Sequence, residues 1–167
     1  MSSHAVAPAS PPGLTTERVW AMLAKSSFAV MSHVTASGEP RSSGVVYGTD
    51  GRRVLVVVAA DSWKARAIRE GQVVAFTVPI RRGGLLSLLF PIAPAAISFR
   101  ARAHVGQPGP LDRSSLPPRF ARLLPPTTEP SCLLELTPEG SFLTYGVGVS
   151  LMKMRDPEAS LARVPVG

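Results

Sequence analysis

Two turn signals, Gly38-Glu39-Pro40 and Asp50-Gly51, cut the apolar sequence between Phe28 and Ala59 into three short runs. In Asp50-Gly51 both central residues tolerate positive φ, the strongest short-range mark of a hairpin. Each run has strand length and is too short for a helix of ordinary size. Phe28 to Thr35 carries apolar residues at odd and even positions, which predicts a strand buried on both faces. The second strand leaves the Gly38-Glu39-Pro40 turn and runs to Tyr47 or Gly48. Val54 to Ala59 is nearly all valine and leucine and reads as a central strand.

A short helix follows, in Asp61-Ser62-Trp63-Lys64-Ala65-Arg66-Ala67-Ile68-Arg69. Asp61 or Ser62 supplies a cap, since a short side-chain oxygen accepts from the first-turn amides. Gly71 is placed to end the helix, because glycine enters the left-handed conformation without strain. The helix start brings together open N–H groups, the Ser62 hydroxyl and Lys64, a combination suited to a phosphate or carboxylate. The residues Gly38 to Tyr47 add small polar donors on the neighbouring strand. The arrangement predicts a phosphorylated ligand held between a strand and a helix start.

Before this region, residues 1–13 carry Pro8, Pro11 and Pro12 and read as a flexible arm. Thr15 or Thr16 caps a helix with Glu17 in its first turn, ending at Lys25-Ser26-Ser27. After it, Val73 to Val78 is a return strand, and Ala95 to Val105 alternates cleanly. Ile97, Phe99, Ala101, Ala103 and Val105 face one way; Ser98, Arg100, Arg102 and His104 face the other. Arg100 and Arg102 read first as the coat of a solvated sheet face. Arg81 to Pro94 is a loop with an apolar middle, expected to pack on a partner subunit or the ligand. Seven prolines between Gly106 and Ser131 exclude a sheet strand there and leave room for a short helix near Arg119 to Leu124. Arg113 in this linker has no evident ligand role. Cys132 to Leu136 and Phe142 to Val149 predict a last hairpin across Thr137-Pro138-Glu139-Gly140. The tail from Met152 reads as a short helix after Asp156-Pro157.

The composition narrows the partners. The 167 residues are 45% apolar and 17% charged, with a net charge of +7, which fits one packed domain over 14–167 that includes the 106–131 linker. The basic residues are scattered and no aromatics interleave them, which argues against nucleic acid. Cys132 is the only cysteine, so an intrachain disulfide and a cysteine-based zinc site are excluded. No basic stretch precedes a hydrophobic run at the N-terminus, and Leu85 to Ile97, broken by Pro91 and Pro94, is too short to span a bilayer. The expectation is a cytoplasmic protein without a membrane span. His33 and His104 lack metal-ligand or triad partners and read as structural. Tyr145-Gly146-Val147-Gly148 is no dinucleotide fingerprint, and no hydrolase, zincin or Walker motif occurs. With no self-sufficient acid, base or nucleophile, an enzyme of this make-up would let a cofactor carry the chemistry.

Short, mostly hairpin-linked strands with few helices predict a mainly β (α+β) fold: a small barrel of six to seven antiparallel strands. Ser27 to Met31, Ser37 to Tyr47, Ser62-Trp63-Lys64-Ala65-Arg66-Ala67-Ile68 and Val73 to Val78 resemble the opening strands, the serine-x-lysine helix and the return strand of a known family. This is the pyridoxamine 5′-phosphate oxidase-like, FMN-binding split β-barrel family. The resemblance covers roughly Phe28 to Val105. It implies a homodimer with flavin sites at the subunit interface and a small-molecule substrate. It also implies cofactor contacts from Ser42, Ser43 and Gly44, from the backbone of Val45 and Val46, and from Ser62, Trp63 and Lys64. No catalytic residue is assigned. The oxidase itself has an arginine near the Ser43 position and C-terminal basic residues that Ser160 to Val166 do not match, which speaks against vitamin B6 oxidation. The implied activity is an FMN-dependent oxidoreductase. The alternatives on the same barrel are a reductase using a deazaflavin of the F-420 type, for which Arg41, Arg66, Arg69 and Arg81 offer a basic groove, and a non-catalytic flavin or haem carrier.

Overall fold

The computed structural model describes residues 14–81, 95–149 and 160–167. Seven strands form one antiparallel sheet: β1 Phe28–Val34, β2 Pro40–Thr49, β3 Val54–Ala59, β4 Val73–Ile80, β5 Ala95–Val105, β6 Ser131–Tyr145 and β7 Leu161–Pro165. They lie in the order β3-β2-β1-β4-β5-β6-β7, and β3 pairs again with β6. That second pairing closes six strands into a barrel and leaves β7 as an added strand on β6. Among the described residues three short helices accompany the barrel: α1 Thr16–Lys25, α2 Trp63–Ala67 and α3 Pro118–Leu123.

The local signals act as predicted in most places. Thr15 caps α1 by accepting from the Arg18 amide. Asp50 Oδ1 accepts from the amides of Arg52 and Arg53, which ties the β2–β3 turn, and Gly51 supplies the positive φ of 90°. Inside the barrel, Tyr47, Phe76, Phe99 and Phe142 form a chain of ring contacts at 5.2–5.4 Å. Tyr47 donates to the Leu23 carbonyl at 2.8 Å, so its buried hydroxyl is satisfied; burial pushes its ionisation far upward. Leu23 and Val19 of α1 pack on the same core.

Three expectations are corrected. β1 is not buried on both faces: Ala29, Met31 and His33 point inward, while Phe28, Val30 and Val34 stay exposed on the outer wall. α2 ends at Ala67 with Ile68 as its cap, and Gly71 instead turns the chain into β4, its amide bonding to the Ala103 carbonyl at 2.8 Å. The last hairpin is one strand of 15 residues, β6. Pro138 is tolerated there because β3 pairs only as far as Leu136 and β7 begins pairing at Ser141. Between them β6 has β5 alone on one side, and a missing N–H costs no ladder bond on the other. The short helix expected from Met152 lies, up to residue 159, outside the described residues, and the chain beyond it, Leu161–Pro165, forms β7. The apolar loop Leu85 to Pro94, the arm 1–13 and the stretch 150–159 lie outside the described residues.

The proline-rich linker packs against the outside of β2, β3 and β6. Leu55, Leu116 and Phe120 make a second small core there. The helix foreseen near Arg119 is α3, with Pro118 at its first turn, where a missing N–H is harmless.

Candidate functional site

The outer wall of β2 and the start of α2 meet at one corner of the barrel. Alternation along β2 sends Ser42, Gly44 and Val46 outward, and turns Ser43 and Val45 toward the interior. The chain leaves β3 at Ala59, turns through Asp61, and starts α2 with Ser62 as N-cap. The Ser62 hydroxyl accepts from the Ala65 amide at 3.2 Å, which leaves its own O–H as a donor. Lys64 reaches back across the corner and donates to the Gly44 carbonyl at 3.2 Å. An ammonium has three donors, and this bond takes one.

The two halves of the sequence-predicted site are therefore adjacent, 20 residues apart in sequence and joined by one hydrogen bond. Ser42 belongs to the same surface, where its hydroxyl bonds that of Ser32 at 2.7 Å. Ser43 does not: its hydroxyl is buried without a protein partner, so only its backbone remains for a ligand on the outer wall. Val45 is likewise buried, and Val46 is exposed. Trp63 is 45% exposed at the corner. Its ring stacks on His33 at 5.9 Å and 28°, and the Lys64 ammonium lies 5.9 Å from its centroid. His33 sits beneath it, 4% exposed, with neither ring nitrogen bonded to protein. Burial, assisted by the Arg41 charge, holds its pKa below the usual histidine value and favours the neutral ring. His33 thus supports Trp63 from inside. His104, on β5, is exposed, and Glu70 binds its Nδ1 at 2.9 Å.

Two members of the corner escaped the sequence reading. Ser32 pairs with Ser42 only because β1 and β2 run in that register. Phe28 lies over Gly44, so a Cβ there would meet the ring at 2.9 Å. Glycine at 44 thus keeps its carbonyl open to Lys64 and lets the Phe28 ring lie flat on the wall. The donor set fits a terminal phosphate: one ammonium, the Ser62 and Ser42 hydroxyls, and first-turn amides that have no partner within the helix. The apolar wall beside it, Phe28, Val30 and Val46, fits a flat hydrophobic ring system. Among the described residues no group of three or more His, Cys, Asp or Glu is placed to hold a metal. No described helix is long and apolar enough to cross a membrane.

No family model matches the chain, and no curated protein does. Solved structures do. The chain is similar to the haem storage protein HutZ of Vibrio cholerae, at 17% identity and a TM-score of 0.57, over 80% of this chain and 96% of that one. A candidate pyridoxamine 5′-phosphate oxidase of Corynebacterium glutamicum aligns at 16% identity and a TM-score of 0.52, over 75% and 90% of the two chains. An F-420 reductase aligns at 18% identity and a TM-score of 0.51, over 80% and 98%. The shared feature is the fold, the split β-barrel of the pyridoxamine 5′-phosphate oxidase-like proteins.

Proposed function

We propose that this split barrel binds FMN at the β2–α2 corner and serves as an FMN-dependent oxidoreductase, assembled as a homodimer. The observation that carries the reading is the Lys64–Gly44 contact, which sets an ammonium beside Ser42 and Ser62 on a wall of exposed apolar side chains. In it, Lys64 and the two hydroxyls hold the phosphate, the backbone at Ser43 to Val46 lines the wall, and Trp63 borders the ring. FMN supplies one- and two-electron transfer when bound; the chain's own residues bind it, orient it and keep water from one face.

The same corner favours FMN over the longer, more anionic deazaflavin. Of the four arginines that would line a second basic groove, Arg41 is paired with Glu39 at 2.9 Å and Arg66 is bonded to the Asp61 carbonyl. Haem is less well served, because His33 is turned inward and His104 is tied to Glu70. The homodimer is supported by the outer wall itself. Phe28 faces Val46 across β1–β2, Tyr145 faces Leu161 across β6–β7, and all four are at least 40% exposed. Apolar patches of this kind on a soluble chain mark contact surfaces.

The test is the full chain purified without added cofactor, then titrated with FMN and with a deazaflavin. Flavin absorbance that survives gel filtration and bleaches with dithionite is the expected result. Deazaflavin binding without FMN retention would replace the cofactor assignment. Light scattering is expected to give twice the chain mass, and Phe28→Glu to give a monomer; a monomeric parent protein would remove the dimer.

A further inference from the structure

The outer wall carries a second concavity, away from Lys64. It is a groove of about 500 Å³ between β4, β5, β6 and β7, lined by Ala75, Thr77, Ser98, Arg100, Ser141 and Leu143 among others. Gly44 and Ser98 share one row of the sheet, through Val30 and Thr77. Three strand spacings separate them, roughly 14 Å.

A bulge makes the groove. From Ser98 to Arg100, β5 advances two residues while β6 advances four, from Leu143 back to Glu139. The extra residues bend β6 away from β5, and Gly140 takes a φ of 77° to permit it. A Cβ at Gly140 would lie 4.0 Å from Arg100 Nε, so the guanidinium rests over the bulge. Its side chain is 67% exposed, and its approach to Glu139, 3.8 Å, is longer than a hydrogen bond. Glu139 is engaged elsewhere: it accepts from Arg102 Nε at 2.6 Å. A second guanidinium, Arg163 of β7, lines the far wall. Thr77 and Ser98 are bonded to each other at 3.0 Å on the floor, and Ser141 adds a third hydroxyl. Ala75 and Leu143 supply an apolar side.

We infer that this bulge groove binds a small organic anion, its carboxylate or phosphate held by Arg100 and its apolar body lying against Ala75 and Leu143. The volume is that of a small-molecule site, and cations outnumber the one carboxylate in its wall. The inference does not rest on the flavin reading, since no residue of the Lys64 corner lines the groove.

The experiment titrates the full-length protein with phenyl phosphate, benzoate, inorganic phosphate and phenol, followed by amide chemical shifts. Phenyl phosphate or benzoate is expected to bind saturably, with shifts centred on Ser98, Arg100, Gly140 and Ser141, and to bind more tightly than inorganic phosphate or phenol. The better of the two names the preferred head group. Arg100→Ala is expected to weaken that binding by about tenfold or more, Arg100→Gln likewise, and Lys64→Ala to leave it unchanged. Phenol binding as tightly as the anions would overturn the proposal. So would loss of binding in Lys64→Ala but not in the Arg100 variants, or no saturation of any probe with a Kd below about 10 mM.

Discussion

The linker corner around α3 and the corner around α2 both carry basic side chains on short helices, and they use them in opposite ways. At the linker, Arg113 donates to the carbonyls of Pro125, Ala121 and Leu124, closing the end of α3. Arg119 donates to the carbonyls of Ala24 and Lys25, closing the end of α1. Those guanidiniums fill gaps left by helix ends, and Phe120 beneath them is buried to 1% exposure. At the other corner, Lys64 spends one donor on a strand carbonyl, Trp63 stays in solvent, and the wall beside them is apolar and uncovered. The linker's donors are taken up by its own chain; at the α2 corner, polar donors and apolar side chains stay exposed. Charge alone does not mark a site. What the donors already hold does.

The sharpest way to break this contrast is at Phe120. Its ring fills the space over Gly48, where a Cβ would come within 2.4 Å of it. Phe120→Ala is expected to cost about 3–5 kcal/mol in urea unfolding, because the cavity is enclosed by Leu55 and Leu116. FMN affinity, measured where both proteins are folded, is expected to be unchanged. A stability loss below about 1 kcal/mol would show that the linker is a loose cover, not a second core.

Arg113 and Lys64 give the next two comparisons. Arg113→Ala removes three bonds from a charged donor and is expected to destabilise by about 1.5–3 kcal/mol. Arg113→Lys is expected to recover only part, since an ammonium cannot span the same carbonyls. Lys64→Ala is expected to change stability by less than about 0.5 kcal/mol, because its bond to Gly44 lies at the exposed surface. Its FMN affinity is expected to fall about tenfold to a hundredfold. Urea unfolding and cofactor titration of both variants would separate the two roles; matched losses in both assays would erase the distinction between the corners.

The α2 corner was legible from sequence because its determinants are local. Ser62 before an alanine-rich turn announces a cap, and glycine, serine and proline around residue 40 announce a strand entry. The linker role of Arg113 was not legible, because its carbonyl partners are set by how α3 folds back on the 3₁₀ turn Arg113–Ser115. The closure of the barrel was hidden for a similar reason. Val54 meets Leu136, 82 residues further along the chain, and Pro138 with Gly140 imitates a hairpin turn while marking a bulge. The exposed wall of β1 misled in another way: apolar residues at both parities, Phe28 and Val30 on one and Ala29 and Met31 on the other, read as burial on both faces, whereas the parity of Phe28 and Val30 faces outward, toward the region proposed for a second copy.

The smallest expected effect is a slope, not a loss, and it contrasts a buried histidine with an exposed one. His33 is held neutral by burial, so its folded pKa lies below the ordinary 6.5. The unfolded chain then takes up a proton first as pH falls, and stability is lost below about 6.5 until the folded value is passed. His104 is raised by its bond to Glu70, so its contribution is complete below 6.5 and disappears as pH rises through the folded value. Glu70, lowered by the Val105 amide and then by His104, keeps its share above its own ordinary 4.5. Urea unfolding across about pH 5 to 8 should therefore show two opposed slopes. His33→Asn is expected to flatten the acid side and His104→Asn the neutral side, each leaving the other intact. Trp63 fluorescence in a Trp20→Phe background adds a local reading: it is expected to titrate with His33, which stacks on it at 5.9 Å, and not with His104. Fluorescence that is flat through the acid slope would detach His33 from the Trp63 corner and leave it a core residue only.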